Sequence, residues 1–154
     1  MDHPGNCDSH VEVLVQLESG AQLPEYHSES AAGMDLRAFL NKPITIRPGE
    51  RALIPTGLRM AIPPGYEGQV RPRSGLAFKQ GLTLLNTPGT IDADYRGEIQ
   101  VLVINLGQEP VVIKPGERIA QLVIAPVARA RLTVVQRLPE TGRGEGGFGH
   151  TGTE

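Results

Sequence analysis

The chain has 154 residues, with 15 basic and 17 acidic side chains and a formal net charge of −2. This length favours one domain that buries its own core. Because the charges are mixed along the chain, no basic run predicts a nucleic-acid partner, and an anionic ligand must be met by a local cluster of arginines. The longest apolar runs, such as Leu122–Val127, are the size of strands, so neither a transmembrane helix nor a membrane partner is expected.

The first ten residues predict a flexible polar leader. They lack the positive and apolar regions of a secretory signal. The single cysteine, Cys7, has no internal disulfide partner, which favours a reducing cytoplasm. We expect the leader at 1–10 to precede a folded domain at 11–138 and a C-terminal arm at 139–154.

Short strands follow one another along the domain. Apolar residues at every second position from Val11 to Leu17 predict a strand with one apolar face. Around Val101–Ile104 both faces are apolar, which predicts burial on both sides. Further strands are expected at Ile44–Ile46, Arg51–Ile62, Glu67–Arg71, Val111–Ile113, Ile119–Pro126 and Leu132–Val135. Many short strands at regular spacing predict an all-β sandwich or jelly roll.

Turn residues separate these strands. The pairs are Pro48-Gly49, Pro64-Gly65, Pro88-Gly89 and Pro115-Gly116. Proline sets φ for the first corner and glycine accepts a positive φ at the second, so each pair predicts a type II turn. The segments 46–52 and 113–120 resemble each other, and we interpret them as equivalent corners of a sandwich. One short helix is expected from Ser74 to about Lys79, with Ser74 as its N-cap.

Two segments are candidates for binding. The connection Asn86–Glu98, read as NTPGTIDADYRGE, places two acids, a tyrosine and an arginine on a predicted hairpin between apolar strands. Such a polar loop on rigid strands is typical of binding and chemistry, although a solvated turn is the alternative. The segment Arg71–Ala77 places two guanidinium groups beside the amides of a helix N-terminus, which predicts an anion site. A capped helix with solvated arginines is the alternative there.

The C-terminal arm is a further candidate for binding phosphates, and the histidines are the side chains to consider as metal ligands. Residues 139–154 carry six glycines and few apolar groups, which predicts a mobile segment whose amides could turn toward phosphates. The four histidines are scattered and show no zinc-ligand spacing. A magnesium ion carried by phosphates needs few protein ligands and keeps its waters, so this lack of spacing leaves Mg²⁺ open.

Five segments together resemble the sequence motifs of the homotrimeric dUTPases, in order and spacing. They are Ala31–Ala38, Arg71–Ala77, Asn86–Glu98, Gly116–Val123 and Arg143–Gly152. The resemblance runs from about Val11 to Gly152. It implies a β jelly roll, three copies around a threefold axis, and active sites shared between subunits. It also implies that the C-terminal arm closes over a neighbouring subunit's site and is ordered by bound nucleotide.

The resemblance implies hydrolysis of dUTP to dUMP and pyrophosphate by attack of water on the α-phosphorus. This reaction keeps uracil out of DNA and supplies dUMP for thymidylate synthesis. Asp92 is the implied general base, and Gln121 helps to hold the same water. The implied phosphate-binding residues are Arg73, Ser74 and Gly75, of which Ser74 is also assigned a catalytic role. Asp35 would reach the Mg²⁺ ion through a water molecule.

The resemblance also assigns the nucleoside contacts. Asn86 and the backbone of Gly89, Thr90 and Ile91 would pair with the uracil edge. Tyr95 would pack under the deoxyribose, where a ribose 2′-hydroxyl collides. From the arm, Arg143 would bind the γ-phosphate and Phe148 would stack on uracil. The next two residues, Gly149 and His150, are also implied to bind the substrate. His150 departs from the serine or threonine that is usual in this family.

Several alternatives stay open on the sequence alone. Arg118 occupies a motif position that could bind phosphates or form a structural ion pair. A dCTP deaminase of the same fold is the nearest rival enzyme, but it needs a glutamate beside the attacked pyrimidine carbon. A non-catalytic nucleotide-binding module could dispense with Asp92. Release of pyrophosphate or ammonia from dUTP, dCTP, dTTP and UTP separates the three functions.

Overall fold

The computed structural model describes residues 10–147 and contains ten strands and one helix. The strands are β1 Leu14–Leu17, β2 Met34–Arg37, β3 Ile44–Ile46, β4 Arg51–Ala61, β5 Tyr66–Pro72, β6 Leu82–Leu84, β7 Gly89–Ile91, β8 Glu98–Asn105, β9 Val111–Ile113 and β10 Arg118–Pro126, and the helix is α1 Ser74–Gln80. Two four-stranded sheets have the orders β1-β4-β8-β6 and β2-β10-β5-β7, and β3 pairs with β9. Every pairing is antiparallel, and the all-β jelly roll is confirmed.

The core lies between the two larger sheets and follows the period of two. In β8, Ile99, Val101 and Val103 are fully buried. Leu102 and Ile104 point to the other face and are only half-buried, so the predicted burial of both faces of β8 is wrong. A two-layer sandwich packs only one face of each strand into its core, so the outer face of β8 stays partly exposed among residues 10–147. No helix in residues 10–147 combines the length and apolarity needed to span a bilayer.

A break in the β4–β8 register anchors the start of β8. The register shifts between Pro55 and Arg59, because Pro55 has no N–H to donate. Nearby groups replace the missing ladder bonds: the Thr56 hydroxyl donates to the Ile99 carbonyl, and the Gly57 amide donates to the Glu98 carboxylate at 2.8 Å. Glu98 is therefore held at the point where the polar connection from β7 re-enters the sheet.

Three of the four predicted Pro-Gly turns are confirmed by a positive φ at Gly49, Gly65 and Gly116. The fourth prediction is wrong. Gly89 is the first residue of β7, and it follows a cis peptide bond between Thr87 and Pro88. Gly89 therefore extends along β5 opposite Val70 and does not form the second corner of a turn.

The repeated corners are structurally equivalent. After β3, the Glu50 carboxylate accepts a hydrogen bond from the Arg47 amide at 2.8 Å. After β9, the Glu117 carboxylate accepts one from the Lys114 amide at 2.8 Å. Since β3 and β9 also pair with each other, the two similar segments form matched corners, as the sequence predicted.

Two local predictions need correction. Helix α1 begins at Ser74, so Arg73 and not Ser74 occupies the N-cap position, without a side-chain cap hydrogen bond. The segment Leu132–Val135 forms no strand. Its side chains Leu132 and Val134 are 90% and 98% exposed, because the described part of this chain offers the segment no strand to pair with.

One buried side chain ties two loops to the end of β8. Asn105 is 0% exposed, and its amide donates to the carbonyls of Ile46 and Glu109. Its side-chain oxygen accepts the Gly107 amide at 2.8 Å. The polar groups of the corner after β3 and of the β8–β9 loop are therefore satisfied by a single residue.

Replacing Asn105 with alanine should destabilise the protein by about 3 kcal/mol, because it leaves buried backbone groups without partners. Urea denaturation at fixed protein concentration measures the loss. Asn41→Ala is the matched control: Asn41 is exposed, so the change should stay within about 0.5 kcal/mol. A loss below about 1 kcal/mol in Asn105→Ala would contradict this role.

Candidate active site

A row of polar side chains crosses the outer face of the second sheet. Strand pairing places Gln121 of β10 opposite Asp35 of β2 on one side and Arg71 of β5 on the other. Their neighbours Leu36 and Leu122 are 0% exposed and point into the core. Because successive residues of a strand alternate between faces, burial of the apolar neighbours forces the polar three onto the same outer face.

Charged groups converge on the Asp35 carboxylate, whose side chain is 14% exposed. Arg73 Nε lies 3.3 Å from Oδ1, and Arg118 Nη1 donates to Oδ2 at 3.1 Å. Arg73 Nη1 also donates to the Arg118 carbonyl at 3.1 Å. Arg118 therefore forms an ion pair in the unliganded chain, which was one of its two predicted roles.

His27 is a neighbour of Asp35 that the sequence did not indicate. Its Nε2 lies 3.0 Å from Oδ2 of Asp35. His27 lies in the connection between β1 and β2, outside every motif, and is half-exposed. No pattern around it could have predicted the contact, because the contact depends on how that connection folds across β2.

Gln121 is held in place from two sides. Its Nε2 donates to the Pro72 carbonyl at 3.0 Å. On the other side, a Cβ on Gly33 would lie 2.5 Å from Gln121 Oε1, so any larger residue at position 33 would displace the end of the Gln121 side chain. The predicted anion-binding residues Ser74 and Gly75 come two and three positions after Pro72 and are exposed at the start of α1. Arg73, Ser74, Gly75 and Gln121 thus lie at one end of the β2-β10-β5 sheet.

The second group of candidates lies on the connection Asn86–Glu98, which is not the simple hairpin that was predicted. Strands β6 and β8 pair with each other in the first sheet, but β7, between them in sequence, pairs with β5 in the second sheet. The pairing Val70↔Gly89 and Gly68↔Ile91 makes β7 an edge strand there. The connection therefore crosses from one sheet to the other and back.

This crossing encloses a depression of about 260 Å³. Its lining residues are Leu53, Thr90, Ile91, Asp92, Tyr95, Glu98 and Gln100. The Tyr95 amide donates to the Asp92 carbonyl at 3.1 Å, and the Tyr95 hydroxyl donates to the Glu98 carbonyl at 2.9 Å. Asn86 and Gly89 are outside the lining, although the Asn86 amide lies beside Gly89. Leu53 of β4 and Gln100 of β8 lie outside the five motif segments, so the sequence did not indicate that they line the depression.

The carboxylates of Asp35 and Asp92 have opposite surroundings. Asp35 faces two guanidinium groups, as described above. Asp92 is exposed, and within residues 10–147 no side chain pairs with or hydrogen-bonds to its carboxylate. The Asp92 carboxylate therefore has no ion pair among the described residues, whereas the Asp35 carboxylate has cationic neighbours.

The two groups lie apart within one subunit. Ile91 pairs with Gly68, and Arg73 is five residues further along the extended chain, roughly 16 Å away. Asp92 lies one residue beyond Ile91, in the direction away from Arg73. A single subunit therefore does not bring Asp92 and Tyr95 together with Arg73, Ser74 and Gln121.

The arm residues are only partly described. Arg143 is exposed, and its Nε donates to the Gly146 carbonyl at 2.8 Å. Phe148, Gly149 and His150 lie outside the described residues, so their predicted contacts stay predictions.

The side chains present suit a metal ion that is already bound to phosphate groups when it enters the site. No three His, Cys, Asp or Glu side chains within residues 10–147 are grouped to hold an ion. Asp35 is a single carboxylate beside the arginines. Mg²⁺ commonly binds through substrate phosphates and few carboxylates while keeping several waters, and this donor set fits that pattern.

The fold and these two groups define an all-β jelly-roll protein with an arginine cluster at one end of a sheet and a separate polar depression of about 260 Å³. A family model described as dUTPase matches residues 19–152. The chain belongs to the dUTPase family.

Similar proteins agree with this assignment. The deoxyuridine 5'-triphosphate nucleotidohydrolase of Syntrophotalea carbinolica is 62% identical over 139 residues, covering 90% of this chain and 95% of the relative. The enzyme of the same name from Chlamydia pneumoniae is 60% identical over 141 residues, covering 91% of this chain and 97% of the relative.

Solved structures resemble the whole fold. A variant of the dUTPase of Staphylococcus bacteriophage 80alpha with dUpNHpp has a TM-score of 0.83 and 29% identity, covering 92% of this chain and 98% of that one. A dUTPase variant from phage phi11 of S. aureus, whose structure reveals the coordination of a structural Mg(II) ion, has a TM-score of 0.74 and 26% identity, covering 82% and 97%.

Removing the charge of Asp35 should strengthen the binding of a bare polyanion. Asp35→Asn removes a negative charge about 3 Å from Arg73. We expect tripolyphosphate in EDTA at low salt to bind about fivefold more tightly, corresponding to about 1 kcal/mol for one charge at solvent-like dielectric. Calorimetric titration measures this, and the gain should shrink as salt rises. Glu50→Gln, at an exposed corner, is the control and should change nothing. Unchanged or weaker binding of tripolyphosphate by Asp35→Asn would contradict the expectation that Asp35 competes with phosphate for Arg73.

Proposed function

We propose that the protein hydrolyses dUTP to dUMP and pyrophosphate. The observation that carries the proposal is the division of polar groups into two incomplete halves. One half presents arginines and Gln121 for phosphates, and the other presents an unpaired carboxylate beside a depression of about 260 Å³. The phosphate half alone would suit many anions, and the depression alone would suit many flat ligands. A nucleoside triphosphate needs both, and relatives named deoxyuridine 5'-triphosphate nucleotidohydrolase support dUTP.

Asp92 is the proposed general base. It orients a water molecule toward the α-phosphorus and takes its proton as the new P–O bond forms, while the bond to the bridging oxygen breaks and pyrophosphate leaves. A carboxylate is ionised near neutral pH, and this one has no cation among the described residues to compete for it. Gln121, held by the Pro72 carbonyl, helps to position the same water.

The arginine half binds the triphosphate. Arg73 presents a planar donor group that matches phosphate oxygens, with the Ser74 hydroxyl and the Gly75 amide beside it. Binding requires Arg73 to exchange its contact with Asp35 for phosphate. Asp35 then keeps Arg118 and His27 as neighbours, so its carboxylate is not left without a cation.

Magnesium is the proposed cofactor. Bound Mg²⁺ would supply positive charge that offsets the negative charge of the phosphates. Asp35 would contact its waters and so hold the triphosphate against the β2-β10-β5 sheet. The structural Mg(II) ion of the phage phi11 relative shows that a dUTPase can carry this ion, without assigning these residues.

The proposed assembly is a homotrimer that joins the two halves across subunits. The distance of roughly 16 Å between Arg73 and the Asp92 loop within one chain supports this arrangement. Asp92 and Tyr95 of one subunit would face Arg73, Ser74 and Gln121 of the next. The arm 139–154, with Arg143, Phe148, Gly149 and His150, would close the site from a neighbour.

Uracil recognition is proposed for Asn86 and the backbone of Gly89, Thr90 and Ile91. Cytosine replaces an acceptor with a donor and leaves groups unpaired, which costs about 1–3 kcal/mol for each buried group. The methyl group of thymine overpacks a close-fitting strand, at a cost of about 1–3 kcal/mol. In the cell this reaction would keep uracil out of DNA and supply dUMP for thymidylate synthesis, with the cytoplasm as the proposed location.

The rival functions have less support. A dCTP deaminase needs a glutamate available beside the pyrimidine. The glutamate that lines the depression, Glu98, instead accepts a hydrogen bond from the Gly57 amide, and the residues after β7 are Asp92 and, three positions later, Tyr95. A non-catalytic module has no need for an unpaired carboxylate beside the depression. Pyrophosphate from dUTP alone supports the proposal, ammonia from dCTP supports the deaminase, and no product supports the module.

Asp92→Asn should lower kcat for dUTP by about 10²-fold or more, because general-base catalysis typically contributes ~10²–10⁴. Pyrophosphate release with Mg²⁺ is the assay. Asp94→Asn is the matched control, since Asp94 is an exposed acid two residues further along the same loop. Asp94→Asn should keep kcat within about threefold. Equal losses in both variants, or full activity in Asp92→Asn, would remove Asp92 from the mechanism.

Mixed trimers test whether the site is shared. Asp92→Asn and Arg73→Gln should each be inactive alone. When the two variants are coexpressed, about a quarter of the sites should combine an intact Asp92 from one subunit with an intact Arg73 from another. Pyrophosphate release should therefore recover to about a quarter of the wild-type rate. Sites built within single subunits would leave the mixture inactive.

A further inference from the structure

Gly97 lies where a side chain would collide with Tyr95. A Cβ built on Gly97 would overlap the Tyr95 hydroxyl oxygen and lie 2.9 Å from Cε2 of the ring. Gly97 is not among the glycines with positive φ. Its backbone conformation is therefore open to other residues, and the space taken by Tyr95 is what excludes a side chain.

The Tyr95 ring is fixed by this close approach. The Tyr95 hydroxyl reaches past Gly97 and donates to the Glu98 carbonyl at 2.9 Å, while the Tyr95 amide donates to the Asp92 carbonyl. Arg96 Nη1 donates to the carbonyls of Ala93 and Tyr95 and closes the same loop. The ring thus lies back against the backbone of its own loop and forms one wall of the depression.

We propose that Gly97 is a positioning residue that determines specificity for the sugar. Because Gly97 has no side chain, the Tyr95 ring stays at the depth set by the Glu98 carbonyl, and that depth sets the width of the depression. A deoxyribose fits beside the ring, whereas the 2′-hydroxyl of a ribose collides with the ring. This inference rests on the proposed function, since it needs uridine nucleotide to occupy the depression.

The fold should tolerate an added methyl group at Gly97. The atoms that it would meet are the far end of the Tyr95 side chain, which is 44% exposed and can rotate away. Gly97→Ala should therefore move the ring without unfolding the protein. Once the ring moves, dUTP loses its packing surface and the penalty against the 2′-hydroxyl is relaxed.

The test compares kcat/KM for dUTP and for UTP. In Gly97→Ala the ratio of dUTP to UTP should fall about tenfold or more, as expected for the loss of a steric penalty. In a Tyr95→Ala background the same substitution should change the ratio by less than about twofold, because coupled residues are not additive. An unchanged ratio, or an equal change in both backgrounds, would overturn the inference.

A measurement without turnover keeps this test separate from the proposed function. The chain has no tryptophan and three tyrosines, so Tyr95 emission can be isolated in a Tyr26→Phe, Tyr66→Phe background. Gly97→Ala should increase the quenching of that emission by acrylamide, and equal quenching would overturn the inference. A wild-type protein that releases no pyrophosphate from dUTP would instead refute the proposed function. Loss of the fold in Gly97→Ala would overturn the inference, because it would show that more than a mobile ring fills the space.

Discussion

The antiparallel register of β2, β10 and β5 is the constraint on which the phosphate half of the site depends. It places Asp35, Gln121 and Arg71 side by side on the outer face, because Leu36 and Leu122 must point into the core. A slip of one residue would send these polar groups inward and the apolar ones outward. The cost of burying a charge makes that slip prohibitive, so packing of the core and geometry of the site are set by the same pairing.

Each subunit carries the arginine group and the Asp92 loop at separate places, so the proposed reaction would need an assembly that joins them. The crossing of β7 to the second sheet directs the Asp92 loop away from the arginines. In the proposed trimer, oligomerisation would be required for catalysis as well as contributing to stability. The same logic explains the contrasting acids: Asp35 can be compensated by Arg73 and Arg118 within its own subunit, while the Asp92 carboxylate has no described partner and faces outward.

Local patterns predicted much of the fold correctly. Alternation located most of the strands, and the positive φ at Gly49, Gly65 and Gly116 followed from their prolines. The failures share a cause, which is tertiary contact overriding local preference. Gly89 extends beside Val70 instead of turning, and Leu132–Val135 has the alternation of a strand but no described strand beside it. The prediction of Ser74 as the N-cap was wrong because Arg73, which contacts Asp35, occupies the extended N-cap position.

The sequence by itself determined the residue types of the site, because five spaced motifs carry them and spacing along the chain needs no coordinates to be read. It also determined the all-β class, because period-two alternation and turn residues act locally. Only the tertiary structure decided which motifs meet in one subunit, which carboxylate is compensated, and that His27 approaches Asp35. Those outcomes depend on strand order and on how connections cross the sheets, and neither leaves a local pattern in the chain.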